Sequence, residues 1–371
     1  MKTRAALIRE LGKPFEIVEL DLDEPKPSEV LVRFAAAGLC HSDDHLRTGD
    51  APVRYPIVGG HEGAGIVEKV GAGVTRLAVG DHVVASVIPV CGHCRFCSRG
   101  QTNVCDLGRY FVDNCLPDGT FRLHEGGTDV GQFCLAGSFS QYGVLSESSV
   151  MKIDDDVPFE VAALVSCGVP TGFGTAVNAG EVRPGDTTIV YGIGGVGANA
   201  LQGAAYVGAR YVIAVDPVEF KRASALTFGA THAVATAAEA HELALSLTNG
   251  VGADQALVTI GVMTEEAVSA AFAAVRKRGT VVLTGVAGPA NKTVHVPGFE
   301  LTLFQKRLQG ALFGSCNPFD DIPRLLDLYR VGKLKLNELI TSRYTLDQVN
   351  QGYEDMLVGR NIRGVIIHDY A

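Results

Sequence analysis

Apolar and polar positions follow two different rhythms along the chain. In the N-terminal part, short β-branched runs are bounded by glycine, proline and aspartate, at residues 30–35, 65–70 and 82–87. Runs of this kind predict strands. From about residue 171, strand-like and helical patterns alternate, which predicts a doubly wound parallel sheet. The expected fold class is therefore α/β, with a mostly-β first region.

The alternating region supplies the predicted elements of this sheet. Strands are predicted at 187–191, 211–215, 255–260 and 280–284, and helices at 197–205, 219–229 and 264–277. Helical patterns at 320–331 and 346–358 precede a strand-like run at 364–368, and we expect this last part to return to the first domain. Residues 106–137 show little periodicity. An irregular segment of that length predicts a position beside the active site or at a subunit contact.

Size, charge and cysteine content narrow the class of protein. A chain of 371 residues exceeds one compact core and predicts two domains. The formal net charge of −9 argues against nucleic acid and anionic membrane surfaces as partners. The chain has no long apolar run and no signal-like N-terminus, so we expect a cytoplasmic protein. In that reducing compartment, nine cysteines favour metal ligation over a disulfide framework.

Four closely spaced cysteines form a compact set of possible metal ligands. They are Cys91, Cys94, Cys97 and Cys105, in the spacing C-x2-C-x2-C-x7-C. Zinc accepts four thiolates in a closed tetrahedron when its role is structural. An iron–sulfur cluster and unligated thiols are the alternatives, but the long fourth spacing, with Asp106 next in sequence, departs from the ferredoxin pattern. His93 lies inside the loop, and we expect it to be exposed because four cysteines already fill the tetrahedron.

A glycine-rich turn between a predicted strand and a predicted helix indicates a dinucleotide site. The turn consists of Gly192, Gly194, Gly195, Val196 and Gly197, and it satisfies G-x-G-x-x-G. Its glycines let the backbone approach a pyrophosphate at the helix N-terminus. Asp216 ends the next strand, where a carboxylate binds a ribose hydroxyl and repels a 2′-phosphate, so NAD is favoured over NADP. Lys221 and Arg222 lie near enough to complicate that preference, and a purely structural turn is the alternative.

Three further positions carry metal-ligating side chains, but each is weak by itself. Cys40 follows a predicted strand, His61 follows a Pro/Gly turn, and Cys167 lies just before the alternating region. A lone histidine or cysteine is more often a packed side chain than a ligand. Spacing alone does not show that these positions converge.

Several motifs occurring in one order along nearly the whole chain carry a family resemblance. They are Cys40-His-Ser-Asp, the glycine-rich stretch from Gly60-His-Glu-Gly to Gly80-Asp, the four-cysteine lobe, the glycine turn, and Arg360-Asn-Ile-Arg-Gly. Together they resemble the zinc-dependent medium-chain alcohol dehydrogenases. The resemblance implies a GroES-like, mostly-β catalytic domain and a Rossmann nucleotide domain. By this division, residues 1–170 would be catalytic with a structural zinc lobe at 91–105, residues 171–313 would bind NAD, and residues 314–371 would return to the catalytic domain.

The resemblance also implies roles for particular residues. Cys40, His61 and Cys167 would hold a catalytic zinc, so that the chain would carry two zinc ions, one catalytic and one structural. Asp43 would orient the ligating imidazole, and Glu62 would be a nearby carboxylate that transiently replaces water.

Proton transfer, cofactor contact and the alcohol pocket are assigned in the same way. Ser42 would take the alcohol proton and His45 would pass it toward solvent. The residues implied to contact the cofactor are Thr171, Lys221, Arg363 and His41. Val87, Phe133 and Ala51 would border an apolar alcohol pocket. The expected partners are a small alcohol or aldehyde and a second copy of the chain, as homodimer or homotetramer.

Within the family, the chain resembles most the actinobacterial nicotinoprotein alcohol dehydrogenases. Those enzymes keep the nicotinamide cofactor bound, pass electrons to an external acceptor such as N,N-dimethyl-4-nitrosoaniline (NDMA), and are associated with mycofactocin. A thiol-adduct-dependent formaldehyde dehydrogenase is the alternative, because Arg109 and Asp50 fall where that branch uses charged residues. A relative that binds NAD without catalysis is the second alternative.

Overall fold

A computed structural model describes residues 1–50, 52–286 and 293–370. Ala51, expected at the alcohol pocket, lies outside the described residues. The chain forms two compact units, of which the first comprises Met1–Cys167, Asn317–Val331 and Leu336–Ala371, and the second Gly168–Cys316 and Gly332–Lys335. No helix in the described ranges has the length and apolar character needed to span a membrane.

The elements are numbered in chain order. The strands are β1 Lys2–Ile8, β2 Glu16–Leu22, β3 Glu29–Leu39, β4 Ile57–Val58, β5 Glu62–Val70, β6 His82–Ala85, β7 Leu123–Glu125, β8 Thr128–Gln132, β9 Tyr142–Ser146, β10 Val150–Lys152, β11 Thr187–Tyr191, β12 Tyr211–Val215, β13 His232–Val234, β14 Ala253–Val258, β15 Val275–Leu283, β16 Arg307–Gly310, β17 Ile340–Tyr344 and β18 Arg363–Ile367. The α-helices are α1 His41–Thr48, α2 Phe159–Leu164, α3 Gly168–Gly174, α4 Gly195–Tyr206, α5 Glu219–Thr227, α6 Ala237–Leu247, α7 Glu265–Ala274, α8 Gly298–Leu303, α9 Pro318–Arg330 and α10 Val349–Leu357.

The first unit is built from a closed barrel and a mixed sheet. The barrel joins strands in the order β1-β2-β7-β8-β4, and the sheet has the order β10-β6-β5-β3-β18-β17, with β9 also paired to β3. Strand β3 lies inside the sheet, between β5 and β18, and its side chains are buried along almost its whole length. Its last residues pair with the start of β5, Gly38 opposite Glu62, and with the start of β18, Leu39 opposite Gly364. This register brings the ends of three strands together at one edge.

The second unit contains a six-stranded parallel sheet. Its order is β13-β12-β11-β14-β15-β16, so the direction of winding reverses between β11 and β14. Ligands of such sheets bind outside the carboxyl ends of the strands at this reversal. An apolar core of β-branched and alanine side chains packs around the sheet. The predicted doubly wound parallel sheet is confirmed.

Two details of the sequence prediction were wrong. The helical pattern over 264–277 ends earlier, because α7 ends at Ala274 and Val275 begins the paired strand β15. The segment 106–137 is not wholly irregular, since it contributes β7 and β8 to the barrel. These strands are only three and five residues long, too short to give a clear alternation.

Candidate metal centres and dinucleotide site

The structure brings Cys40, His61, Glu62 and Cys167 together in the first unit. One ligating atom of each lies within 4.8 Å of every other. Cys40 follows β3 directly, and His61 and Glu62 stand at the start of β5, so the pairing of these two strands places them side by side. Cys167 joins them from the segment between α2 and α3. Residues more than a hundred positions apart thus form one cluster.

The imidazole of His61 faces the carboxylate of Asp43. Both side chains are fully buried, and Asp43 Oδ2 lies 3.0 Å from His61 Nδ1. The other carboxylate oxygen of Asp43 accepts a hydrogen bond from the Gly60 N–H at 2.8 Å. Both ring nitrogens of His61, and Asp43 Oδ2, are buried without a hydrogen bond among the described residues, so the Nδ1–Oδ2 pair is a close contact of a ring nitrogen with a carboxylate. A buried ring nitrogen of this kind, next to two sulfur atoms, fits a bound metal ion.

The pKa values of the two cysteines and the histidine in this cluster are shifted strongly from their ordinary values. A hydrogen bond from Cys167 holds the pKa of Cys40 well below its ordinary value, and the same contact, together with burial, raises the pKa of Cys167. Burial opposes a charged His61, but the facing Asp43 carboxylate, ahead of the two cysteines, raises its pKa well above the ordinary value. A carboxylate and a thiolate this close together in a buried space favour a cation between them.

Glu62 and Arg363 form a buried ion pair beside the cluster. Arg363 begins β18, and its guanidinium donates to Glu62 Oε2. Burial raises the pKa of Glu62 to about 7, although the charge of Arg363 opposes the shift. Burial likewise opposes a charged Arg363, but Glu62 raises its pKa above the ordinary value. Arg363, which the resemblance implies contacts the cofactor, thus pairs with a carboxylate of the first unit, and its cofactor role stays a prediction.

Helix α1 carries the predicted relay residues. Ser42 Oγ lies 3.7 Å from Cys40 Sγ, so the hydroxyl borders the cluster. His45 stands three positions later on the same face, and its ring centroid lies 5.1 Å from that of His41. His45 Nδ1 lies 3.1 Å from Asp50 Oδ2. Asp50, one of the two charged residues named for the formaldehyde alternative, therefore contacts the histidine predicted to act in the relay.

Phe133 packs edge-on against the imidazole of His61, with ring centroids 5.4 Å apart. The next two residues, Cys134 and Leu135, have positive φ angles of 50° and 62°. Asn114 holds this turn, since its Oδ1 accepts the Cys134 N–H at 3.0 Å and its Nδ2 donates to the Phe111 carbonyl at 2.7 Å. Sequence reasoning missed Asn114, because an asparagine in a long irregular segment gives no distinct signal.

The four cysteines of the lobe also converge. Their sulfur atoms lie within 4.8 Å of one another, and Cys91 Sγ is 3.9 Å from Cys97 Sγ. Backbone N–H groups donate to several of the sulfurs, as from Cys97 to Cys94 Sγ at 3.4 Å. These donors, with the Asp106 N–H foremost, lower the pKa of Cys94 to about 6, whereas burial raises the pKa of Cys97 to about 12. No disulfide forms among the described residues, which include all nine cysteines, and His93 is exposed as predicted.

The glycine turn of the second unit lies at the reversal of the parallel sheet. It follows β11 and opens α4, where Gly194 is the residue before the helix. A Cβ on Gly197 would lie 1.9 Å from the Gly192 carbonyl oxygen, so only glycine allows this close approach. The N-terminus of a twelve-residue helix behind an unobstructed Gly194 fits a pyrophosphate.

Asp216 is buried directly after β12 and shapes this turn. Its two carboxylate oxygens accept the Ile193 N–H at 2.8 Å and the Val218 N–H at 2.9 Å. Arg222 donates to the Asp216 and Pro217 carbonyl oxygens rather than to the carboxylate. Each carboxylate oxygen keeps a second lone pair for a ribose hydroxyl. Thr171 lies in α3 and Lys221 in α5, whereas His41 and Arg363 belong to the first unit.

Arg109, the other charged residue of the formaldehyde alternative, is held by its neighbour. Its guanidinium donates to the Tyr110 hydroxyl at 3.0 Å and lies over the Tyr110 ring. With Asp50 bound to His45, both charged residues named for that alternative have partners within the chain. Neither contact favours the thiol-adduct interpretation.

Comparisons with known proteins agree with the fold and the site. Residues 26–155 match the alcohol dehydrogenase GroES-like domain, and residues 195–330 match the zinc-binding dehydrogenase family. Two solved structures, each covered completely and each 33% identical, are an alcohol dehydrogenase zinc-binding domain protein from Burkholderia ambifaria, with a TM-score of 0.93, and the benzyl alcohol dehydrogenase of Acinetobacter calcoaceticus, with 0.91.

The chain therefore belongs to the zinc-dependent medium-chain alcohol dehydrogenases and is an oxidoreductase with GroES-like and Rossmann domains. Among its relatives, the NDMA-dependent alcohol dehydrogenase of Amycolatopsis methanolica is 57% identical over 99% of both chains. Alcohol dehydrogenase B of Mycobacterium tuberculosis is 48% identical over 99% of this chain and 98% of its own. The predicted family is confirmed.

Proposed function

We propose that the chain oxidises a primary or secondary alcohol by hydride transfer to NAD, with Cys40, His61 and Cys167 holding a catalytic zinc. The observation that supports this most directly is the convergence of two sulfurs and a buried imidazole, whose nitrogens form no hydrogen bond among the described residues, in one cluster. Three protein ligands leave one position of a tetrahedron open for substrate. A second zinc would occupy the four-cysteine lobe, for a total of two per chain.

Two bound groups would supply chemistry that amino-acid side chains lack. Zinc would act as a Lewis acid that increases the acidity of a coordinated hydroxyl, and NAD would accept the hydride. The chain supplies orientation and a path for the proton. Ser42 borders the cluster and accepts the alcohol proton while its own proton moves on, and His45 receives a proton on the same helix face. Asp43 orients His61. The pairing of Glu62 with Arg363 compensates the charge of each side chain beside the metal site.

We also assign the second unit's glycine turn and Asp216 to NAD rather than NADP. The carboxylate retains lone pairs for ribose hydroxyls, and a 2′-phosphate would meet its negative charge. By this assignment, residues 171–313 bind the dinucleotide, and residues 1–170 with 314–371 provide the catalytic groups.

Tight retention of the cofactor is the finer part of the proposal. It is supported by the relative whose name records NDMA dependence, 57% identical over nearly the full chain. In that case an external electron acceptor would reoxidise the bound nicotinamide between turnovers. The protein would then show little activity when free NAD is the only oxidant.

We further propose a homo-oligomer located in the cytoplasm. Strand β16 stands at the edge of the parallel sheet. Helix α8 shortly precedes this strand in sequence, and its side chains Phe299 and Leu303 are 66% and 64% exposed. Exposed apolar side chains and an open sheet edge favour pairing with a second copy. Zinc-ligating thiolates require a reducing compartment, which fits the cytoplasm.

Native mass spectrometry with metal detection tests the proposal. We expect two zinc ions and one NAD(H) per subunit in the purified protein. The Cys40→Ala variant should retain one zinc and lose alcohol oxidation, because one ligand of the catalytic site is missing. Cys115→Ala, which removes a buried thiol outside both clusters, is the matched control. Alcohol oxidation at the wild-type rate by Cys40→Ala would remove the assignment.

A further inference from the structure

Asp50 meets His45 because of how α1 ends. The helix stops at Thr48, and Gly49 adopts a left-handed conformation with φ of 80° while its N–H donates to the His45 carbonyl oxygen. This turn reverses the chain and brings Asp50 back along the helix. Asp50 Oδ2 then lies 3.1 Å from His45 Nδ1 and accepts the Thr48 hydroxyl at 2.5 Å. Two side chains of one turn thereby fix the carboxylate.

The contact decides which ring nitrogen of His45 carries the proton. Hydrogen bonds from Thr48 and His45 hold the pKa of Asp50 below its ordinary value, so the group is a carboxylate, which only accepts. His45 Nδ1 must therefore donate, and the lone pair of the neutral ring is placed on Nε2. The His45 side chain is 3% exposed and that of Asp50 17% exposed, so the pair runs from the interior toward solvent.

Other charged groups around His45 do not replace Asp50. His41 lies against the ring but has no negative charge to offer Nδ1. Asp44 pairs with Arg47 at 2.8 Å, so this carboxylate is already compensated. Tyr55 donates its hydroxyl to the Leu46 carbonyl oxygen. Asp50 is the carboxylate that contacts the imidazole within residues 1–50 and the other described ranges.

We propose that Asp50 is a positioning residue of the proton relay: it holds His45 with Nε2 free to accept the alcohol's proton and stabilises the imidazolium that results. This inference depends on the proposed alcohol oxidation. Each turnover breaks a C–H bond, whose electron pair leaves as hydride to NAD, and an O–H bond, whose proton leaves through Ser42 to His45. The proton bound at Nε2 is balanced by the carboxylate at Nδ1 until solvent removes it.

The test is the single-turnover reduction of bound NAD by an alcohol, followed across pH. In Asp50→Asn, the amide oxygen still accepts from Nδ1 but carries no charge. We expect the plateau rate to fall about 10-fold and the acid limb to move to lower pH, because the protonated ring is harder to form. Zinc content and melting temperature should stay unchanged. Asp44→Asn, at a neighbouring carboxylate that pairs with Arg47 rather than with His45, should keep the wild-type rate and pH profile, although loss of this buried ion pair lowers its melting temperature.

A double variant separates a role through His45 from a general effect. His45→Gln removes the base, so His45→Gln/Asp50→Asn should be no slower than His45→Gln alone. Equal losses at every pH, additive losses in the double variant, or loss of zinc would overturn the proposal and leave Asp50 a structural role. If the wild type itself fails to reduce its bound NAD with any alcohol, the proposed function fails instead.

Discussion

Replacing Asp43 with asparagine tests how the protein presents His61 to a metal. Asp43 is fully buried, and its two oxygens face the Gly60 N–H at 2.8 Å and His61 Nδ1 at 3.0 Å. A carboxylate accepts on both sides, so it keeps the imidazole proton on Nδ1 and leaves Nε2 for ligation. Asparagine has the same shape but offers one acceptor and one donor.

The magnitude follows from this geometry. Whichever way the amide turns, its –NH2 meets a group that also donates, either Gly60 N–H or the Nδ1–H of a metal-binding His61. In the metal-free variant, His61 can carry its proton on Nε2, so that Nδ1 accepts from the amide and no two donors face each other. Zinc binding requires a free Nε2 and restores the unfavourable pairing, so the variant loses zinc affinity. The Nδ1–H···Oδ2 hydrogen bond that the metal-bound site would form, and that the variant would lose, is worth about 1–3 kcal/mol. We therefore expect zinc affinity at this site to fall about 10- to 100-fold.

Competition with a chromophoric zinc chelator measures the effect. The zinc of the four-cysteine lobe should be unaffected, so only one of the two release phases should shift in Asp43→Asn. Asp44→Asn is the control, because Asp44 is equally buried on the same helix but pairs with Arg47. If Asp43→Asn releases both zinc ions at the wild-type chelator concentration, the proposed orientation of His61 is refuted.

Three further predictions concern other sites. Asp216→Gly should relax the preference against NADP and also destabilise the fold by about 2–4 kcal/mol, since two backbone N–H groups lose a charged acceptor; a change in cofactor preference without a lower melting temperature would contradict this. Burial lowers the pKa of His368 to about 4 in the folded protein. In the unfolded chain the same histidine binds a proton below its ordinary pKa of about 6.5, so the free energy of unfolding should fall by about 3 kcal/mol between about pH 6.5 and pH 4. His368→Gln, which keeps a donor for the Ser138 carbonyl, should flatten this loss in urea unfolding. Asn114→Ala frees the turn behind Phe133 and should raise kcat/KM for bulky alcohols relative to small ones; an unchanged ratio would count against its positioning role.

Local motifs were predictable because their geometry is set within a few residues. The spacing of the cysteines from Cys91 to Cys105 confines four sulfurs to one loop, and the glycine turn lies between β11 and α4 where its pattern requires. Helix α6 was missed although Thr236 and Glu239 form a capping box at its start, which is a usable sequence signal.

The convergence of distant residues could not be read from spacing. Cys40 and His61 meet through the register of β3 and β5, and Cys167 arrives from a connecting segment, so the family resemblance supplied what periodicity lacks. The partners of Asp50 and Arg363 were also hidden. Asp50 depends on the left-handed Gly49, and Arg363 on the pairing of β18 with β3, neither of which has a local pattern.

A crystal structure of the purified protein with anomalous data at the zinc absorption edge tests the central claim most directly. The account predicts two zinc peaks per chain, one inside the four-cysteine lobe and one bonded to Cys40, His61 and Cys167 at about 2.3 Å from each sulfur and about 2.0 Å from Nε2. A single peak in the lobe, with the three side chains turned away from a common centre, would contradict it.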